Sequence, residues 1–142
     1  MATTRKATTH WEGNLLEGSG NVALETSGVG TFEVSWPSRA EAANGKTSPE
    51  ELIAAAHSSC YSMALSHGLA QAGTPPEQVD TSAEVTFQPG TGITGIHLTV
   101  TAVVPGLDAE GFAAAAENAK QNCPVSKALA GTEITLTANL KG

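Results

Sequence analysis

Two cysteines, Cys60 and Cys123, are the residues of this chain whose side chains are best suited to covalent chemistry. They lie far apart in the sequence, which excludes a C-x-x-C motif. In a reducing compartment, a pair of cysteines is more often catalytic, metal-binding or inert than joined in a structural disulfide. Our hypothesis is therefore that the two thiols carry out redox chemistry together.

The residues around Cys123 favour its thiolate form. It lies in the segment Asn122-Cys123-Pro124-Val125-Ser126. Because proline suits the first position of a helical turn, Cys123 would be the N-cap of that turn. Free backbone N–H groups and the positive end of the helix dipole stabilise a thiolate at such a position.

Cys60 has a different environment, near the middle of a mostly apolar segment, residues 48–73, that is predicted to be a long helix. It would lie about three turns into that helix, where the dipole gives little help. Burial normally raises the pKa of a thiol. A reactive Cys60 would therefore need a cation from elsewhere, and the alternative is a small inert core residue.

The segment around Cys60 carries clear signals for the start and the end of a helix. Ser48 is a good N-cap, Pro49 suits the first helical position, and Glu51 completes a Ser-x-x-Glu capping box. Glu50 and Glu51 also lie near the positive end of the dipole, which explains both carboxylates without a catalytic role. The helix is predicted to end at about Gln71.

The predicted helix is apolar over a wide arc. The residues of this arc are Leu52, Ile53, Ala56, Cys60, Met63, Ala64 and Leu69. Such a broad arc indicates a largely buried helix. Since one sheet cannot cover a helix on nearly all sides, we expect a partner chain to cover part of it.

The remaining segments predict an α+β fold. Strand patterns occur at residues 8–14, 21–25, 31–36, 79–88, 93–104 and 133–140, and helical patterns at 109–121 and 124–130. The order β-β-β-α-β-β-α-β indicates antiparallel sheet with one dominant helix. No repeat or linker divides residues 1–142, which predicts a single domain. Residues 37–47 read as a polar loop containing Arg39, and a loop arginine is ordinarily solvated.

The composition limits the possible partners. A formal net charge of −7 argues against nucleic acid, which rewards clustered positive charge. No apolar run approaches the roughly 20 residues that cross a bilayer, and no apolar segment follows the basic N-terminus. We therefore expect a soluble, cytoplasmic protein without a membrane partner. His57 and Cys60 could begin a metal site, but further ligands at helical spacing are missing and no metal is expected.

Two motifs together carry a family resemblance. The helix segment 49–65, P-E-E-L-I-A-A-A-H-S-S-C-Y-S-M-A-L, is followed some sixty residues later by Cys123-Pro124-Val125-Ser126. This pair of motifs resembles the OsmC/Ohr family of osmotically inducible and organic-hydroperoxide-resistance proteins, and more closely its OsmC branch. The resemblance extends over nearly the whole chain, including His10-Trp11-Glu12-Gly13. It implies antiparallel sheets wrapped around a long central helix in an intertwined dimer.

The resemblance also implies an activity, that of a dithiol-dependent peroxidase that prefers organic hydroperoxides to hydrogen peroxide. Cys60 would attack the O–O bond and become a sulfenic acid, and Cys123 would resolve it as a Cys60–Cys123 disulfide. An external dithiol would then reduce the disulfide, and no bound cofactor is implied. The arginine and glutamate of the family map to Arg39 and Glu50. Arg39 would stabilise the Cys60 thiolate and polarise the peroxide, while Glu50 would hold the guanidinium in a bidentate pair.

Helix geometry places a condition on this assignment. Glu50 and Cys60 are ten residues apart on the predicted helix, which is about 15 Å along its axis. Glu50 therefore cannot act on the Cys60 of its own chain. If both belong to one site, Glu50 comes from a second subunit whose helix runs antiparallel to the first, and Arg39 does too. A two-fold homodimer would then contain two equivalent shared sites.

Two other functions remain open from the residues themselves. The chain could be a non-catalytic stress-response or binding module, in which both cysteines are buried and the helices only build a dimer. It could also use Cys60 as a nucleophile in acyl transfer or hydrolysis.

Overall fold

The computed structural model of the protein describes residues 1–141 and contains six strands and four helices in that range. Their bounds are β1 Thr8–Glu12, β2 Ser19–Ala23, β3 Thr31–Val34, α1 Trp36–Ala40, α2 Pro49–Gln71, β4 Gln78–Gln88, β5 Gly92–Val103, α3 Ala109–Asn122, α4 Pro124–Ala128 and β6 Ile134–Leu140. The chain forms two compact units, one from Met1 to Leu52 and one from Ile53 onward. The α+β class is confirmed, and the single domain stays a prediction.

The first unit contains the antiparallel sheet β1-β2-β3, which is the predicted meander. The predicted loop after it is wrong in one respect, because β3 ends at Val34 and α1 begins at Trp36. Ser35 and Ser38 form a reciprocal capping box, with each side chain bonded to the other residue's backbone N–H. Pro37 lies in the first turn, where its missing N–H costs nothing. Arg39 is therefore held on a short helix.

The N-terminus of α2 forms as predicted, but only half of its capping box is present. The N–H of Glu51 donates to Ser48 Oγ at 3.2 Å. The carboxylate of Glu51 instead accepts a hydrogen bond from Thr47 Oγ1 at 2.5 Å. The predicted end of the helix at Gln71 is confirmed.

Within one chain, α2 buries a stripe and leaves another face open. Its buried residues in the second unit are spaced four apart: His57, Tyr61, Leu65 and Leu69. A different face is exposed and carries Ala55, Ala56, Ser59 and Met63. The core of the second unit thus covers only one stripe of α2, and the expectation that a partner chain covers the rest stays a prediction.

The second unit contains the sheet β4-β5-β6, and this sheet is mixed. β4 pairs antiparallel with β5, whereas β5 and β6 are parallel, with Leu98 opposite Leu136. The expectation of purely antiparallel sheet is therefore wrong for this pair. The reason is the connection: the chain passes through α3 and α4 between the two strands, and a helical crossover returns it in the same direction.

The core of the second unit lies between this sheet, α2 and α3. Leu65 and Leu69 of α2, Leu98 of β5 and Phe112 of α3 are almost completely buried there. α3 begins at the N-cap Asp108, whose carboxylate accepts the N–H of Gly111 at 2.7 Å. The same core contains Cys123, so packing decides where the second thiol lies.

Two short helices distinguish the observed order from the predicted one. With α1 and α4 included, the order is β-β-β-α-α-β-β-α-α-β. α4 corresponds to the helical pattern at 124–130 and ends at Ala128. Within residues 1–141, no helix combines the length and the apolar character needed to cross a membrane.

Candidate active site

The two cysteines are in direct contact in the second unit. Cys60 lies on α2, Cys123 lies where α3 ends and α4 begins, and their sulfur atoms are 3.1 Å apart. Both are free thiols. Cys123 is completely buried, whereas Cys60 is partly exposed. Of the two residues, Cys60 is therefore the one with surface open to solvent.

Packing between α2 and α3 holds the thiols in this arrangement. Tyr61, next to Cys60 in the sequence, has no exposed surface, and its hydroxyl donates to the Ala116 carbonyl of α3 at 2.9 Å. The N–H of Cys123 donates to the Ala119 carbonyl, which closes the last turn of α3. Cys60 is thus positioned by α2, and Cys123 by the junction at which α3 ends and α4 begins.

The pKa of the Cys60 thiol is raised, as expected from its place within a long helix. Burial is the largest cause, followed by the hydrogen bond with Cys123 and the charge that Cys123 can carry. A hydrogen bond from the backbone N–H of Val125 to the Cys60 sulfur opposes these effects and acts to lower the pKa. The effects that raise the pKa of Cys60 are larger than the one that lowers it. Cys60 therefore needs a further positively charged partner to become a thiolate near neutral pH.

The N-terminus of α4 therefore acts on the Cys60 thiol, whereas the prediction was that it stabilises the Cys123 thiolate. Cys123 is the N-cap residue of α4, as expected, but its side chain makes no capping hydrogen bond. The N–H of Val125, at the second position of α4, bonds to Cys60 instead. The sequence motif located these amides correctly, but only the packing of α4 against α2 shows which sulfur atom they reach.

A second polar contact connects α2 to α4. Nε2 of His57 lies 2.7 Å from Oγ of Ser126, and both residues are buried. Burial lowers the pKa of His57, and its Nδ1 has no hydrogen-bond partner. In the sequence, Ser126 is only the last residue of the Cys-Pro-Val-Ser motif, and no local pattern pairs it with His57. Within residues 1–141, no cluster of three or more His, Cys, Asp or Glu side chains is arranged to hold a metal ion.

Arg39 and Glu50 form a close ion pair in the first unit. Nε of Arg39 donates to both carboxylate oxygens of Glu50 at 3.1 Å, and Nη2 donates to Oε2 at 2.9 Å. The Glu50 side chain is only 8% exposed and that of Arg39 is 31% exposed. A two-point contact of this kind fixes the plane of the guanidinium. Arg39 is thus not the solvated loop charge that its surroundings in the sequence alone would favour.

A cavity of about 350 Å³ in the first unit has Arg39 in its wall. Most of its other wall residues are apolar: Trp11, Leu15, Val22, Val34, Trp36 and Leu52. A cavity with apolar walls and one fixed cation suits a small molecule that has an apolar body and one polar group.

The structure thus arranges the four predicted site residues as two pairs, one in each unit. Cys60 contacts Cys123, and Arg39 contacts Glu50. Glu50 and Cys60 lie ten residues apart on the continuous helix α2, which rises about 15 Å over that length.

Comparisons with known proteins find relatives that match this chain over almost its entire length. A family model described as OsmC-like protein matches residues 42–139. The chain is 42% identical over 144 residues to proteins named Peroxiredoxin OsmC from Escherichia coli (strain K12) and from Shigella flexneri, covering 99% of this chain and 99% of each relative.

Solved structures similar to this chain include organic hydroperoxide resistance proteins. A structure described as an organic hydroperoxide resistance protein OsmC from Legionella pneumophila matches with a TM-score of 0.75 and 25% identity, covering 98% of both chains. The organic hydroperoxide resistance protein OhrB of Bacillus subtilis matches with a TM-score of 0.71 and 26% identity, also over 98% of both chains.

Proposed function

Since the chain belongs to the OsmC-like family, we propose that it is a peroxiredoxin that reduces organic hydroperoxides with the thiols of Cys60 and Cys123. The observation that carries this proposal is the 3.1 Å contact between the two sulfur atoms. Of the two residues, Cys60 is partly exposed and Cys123 is buried. An accessible thiol in contact with a second thiol is the arrangement in which a sulfenic acid can be resolved as a disulfide.

In the first step, the Cys60 thiolate attacks the terminal oxygen of the hydroperoxide. An S–O bond forms, the O–O bond breaks, and the alkoxide leaves and takes up a proton to become an alcohol. Cys60 is thereby oxidised to a sulfenic acid. The cycle needs no bound metal or organic cofactor, because the thiol itself supplies both electrons.

In the second step, the Cys123 sulfur attacks the Cys60 sulfur. An S–S bond forms, the S–O bond breaks, and the hydroxyl group leaves as water after taking up the thiol proton. The sulfur atoms start 3.1 Å apart, and a disulfide bond is about 2.05 Å long, so they approach by only about 1 Å. An external dithiol then reduces the disulfide by thiol–disulfide exchange.

Arg39 supplies the positive charge that Cys60 lacks. The bidentate contact with Glu50 holds the guanidinium in one orientation, in which it can stabilise the thiolate and polarise the peroxide. The rise of about 15 Å along α2 prevents Glu50 from acting on the Cys60 of its own chain. The Arg39–Glu50 pair therefore serves the thiol pair of a second subunit.

The active unit is accordingly a homodimer with two shared sites. Support comes from the face of α2 that carries Ala55, Ala56, Ser59 and Met63, on which Met63 is 72% exposed. These side chains are mostly small and uncharged, so a second helix can approach them closely. An antiparallel partner helix on this face would bring Arg39 and Glu50 of one subunit toward Cys60 of the other.

The cavity beside Arg39 favours organic substrates. Its apolar walls can take the alkyl or aryl group of a hydroperoxide, while the guanidinium faces the polar end. Hydrogen peroxide has no such group and gains nothing from these walls. We place the enzyme in the cytoplasm, where free thiols remain reduced.

Thiol counting tests the chemistry. The protein is incubated with one equivalent of tert-butyl hydroperoxide, and free thiols are counted in the wild type, Cys60→Ser and Cys123→Ser. We expect the wild type to lose both thiols, Cys123→Ser to form a sulfenic acid that dimedone traps, and Cys60→Ser to keep its remaining thiol. Two thiols that survive excess peroxide would overturn the proposal and leave a non-catalytic dimer.

A further inference from the structure

Two side-chain contacts join α2 to the start of α4, and the proposed reaction uses only one of them. Cys60 meets Cys123 at 3.1 Å, and His57 meets Ser126 at 2.7 Å. The two contacts are three residues apart on both segments, which places them about one turn apart along α2. The second contact is therefore a neighbour of the first and fixes the same two elements to each other.

The contact between His57 and Ser126 lies in a dry environment. His57 has no exposed surface and Ser126 is 5% exposed. Nδ1 of His57 has no partner, so Ser126 is the hydrogen-bond partner that the structure records for this ring. Breaking the contact would leave a buried imidazole without any hydrogen bond, which costs more than losing an exposed one. The contact thus resists separation of α4 from α2.

His57 bonds to Ser126 as a neutral ring. The hydrogen bond joins Nε2 to Ser126 Oγ, a hydroxyl that can donate to one tautomer of the imidazole and accept from the other. Burial lowers the pKa of His57, which keeps the ring neutral. His57 consequently bonds to α4 and is not a source of protons for the peroxide.

We propose that His57 and Ser126 are positioning residues for the disulfide-forming step, and this inference rests on the proposed peroxidase function. Their hydrogen bond holds the first turn of α4 against α2, so that the Cys123 sulfur stays within reach of the sulfenic acid on Cys60. The same contact keeps the N–H of Val125 on the Cys60 sulfur. Neither residue touches the peroxide.

The proposal predicts that the two chemical steps respond differently when the contact is removed. In Ser126→Ala, we expect disulfide formation to slow about tenfold, the factor that corresponds to losing one buried hydrogen bond. The first step depends on Cys60 itself and should slow by less than about threefold. The only effect expected on it is the loss of the hydrogen bond from the Val125 N–H to the Cys60 sulfur, and such a bond is weak. The sulfenic acid then persists, and excess peroxide oxidises it further to sulfinic acid.

The two steps can be measured separately by rapid mixing with one equivalent of tert-butyl hydroperoxide. Peroxide loss reports the first step, and the loss of the second thiol after an acid quench reports disulfide formation. Ser62→Ala is the matched control, because Ser62 Oγ makes a 2.7 Å contact from α2 to Thr81 on β4. Like Ser126→Ala, this control removes a serine hydroxyl that bonds α2 to a neighbouring element, but it does not touch α4, and its disulfide step should match the wild type.

A conservative replacement distinguishes hydrogen bonding from packing. His57→Gln retains a side-chain N–H that can reach Ser126, and it should form the disulfide faster than His57→Leu, which has none. Equal rates in these two variants, or equal slowing in Ser126→Ala and Ser62→Ala, would overturn the inference. A wild type that does not consume peroxide would instead overturn the proposed function, so the two failures are distinguishable.

Discussion

The Cys60 thiol is the residue on which the chemistry depends, and its own chain makes it difficult to ionise. Burial raises its pKa most, and Cys123 adds to this effect. The Val125 N–H lowers the pKa of Cys60, but by less than burial and Cys123 together raise it. A mobile lysine could supply positive charge, but a guanidinium held at two points also offers a fixed direction to the peroxide.

This balance leads to a prediction about pH. Peroxide attack needs the thiolate, so its rate rises as the pH increases through the pKa of Cys60. Removing the guanidinium in Arg39→Ala should move that rise to higher pH, because the raised pKa is then no longer opposed. We expect sulfenic acid to form at least about tenfold more slowly at pH 7, because a smaller fraction of Cys60 is then thiolate. The measurement is the rate of peroxide loss against pH in a Cys123→Ser background.

Two further variants control this experiment. Arg5→Ala makes the same change at the other arginine of the chain, which is exposed near the N-terminus, and its pH profile should equal that of the parent. Arg39→Lys keeps the charge but lacks the planar fork, so its profile should fall between the parent and Arg39→Ala. An Arg39→Ala profile that overlays the parent would contradict the role of Arg39.

Among the elements, the short helix α1 determines where Arg39 lies. Ser38 Oγ accepts the N–H of Ser35 and lies 3.0 Å from the Thr47 carbonyl, just before α2 begins. Ser38 therefore connects the helix that carries Arg39 to the one that carries Glu50. The five residues of α1 are too few to show a helical period, which is why the sequence pattern read this segment as a loop.

Removing the Ser38 hydroxyl should affect stability and activity together. In Ser38→Ala, we expect the free energy of unfolding to fall by about 1 kcal/mol, because half of the capping box and the part-buried contact with the Thr47 carbonyl are lost. The reaction of Cys60 with peroxide should also slow, since the Arg39–Glu50 pair loses its alignment. Urea unfolding and peroxide consumption measure the two effects.

Ser27→Ala is the matched control for this change. Ser27 lies in an exposed turn, where its hydroxyl accepts the Val29 N–H at 3.4 Å, and we expect both measurements to stay near the wild type. If Ser38→Ala lost stability while its peroxide reaction stayed at the wild-type rate, α1 would have no part in positioning Arg39.

At the scale of the whole molecule, the proposed homodimer predicts complementation between two inactive variants. Glu50→Ala has an intact thiol pair, and Cys60→Ser has an intact Arg39–Glu50 pair. In a shared site, each mixed dimer contains one complete site and one that lacks both residues. Random exchange at equal concentrations makes half of the dimers mixed, so activity should recover to about a quarter of the wild type.

The exposed face of α2 provides the control for complementation. Introducing Met63→Glu into both variants places like charges on the face where the helices would meet, and recovery should disappear as light scattering shows monomers. Val29→Glu changes a similarly exposed apolar residue outside α2 and should leave recovery intact. Recovery no greater than the activity of either parent would contradict a site shared between subunits.

The sequence by itself determined the features that depend on local chemistry. The start and end of α2 follow from Ser48, Pro49 and the glycine and prolines after Gln71, because caps and breakers act over a few residues. The strand patterns, which alternate most clearly at residues 21–25, 31–36 and 93–104, predicted six strands that lie within a few residues of the observed ones. The two cysteine motifs, read together, were sufficient for the family.

Only the tertiary structure decided which of these groups meet. Parallel pairing of β5 with β6 and the hydrogen bond between His57 and Ser126 both join residues distant in the sequence. The N–H of Val125 reaches Cys60 and not the neighbouring Cys123 for the same reason. Local patterns fix which backbone groups a turn leaves unpaired, but the packing of one helix against another chooses the sulfur atom that they stabilise.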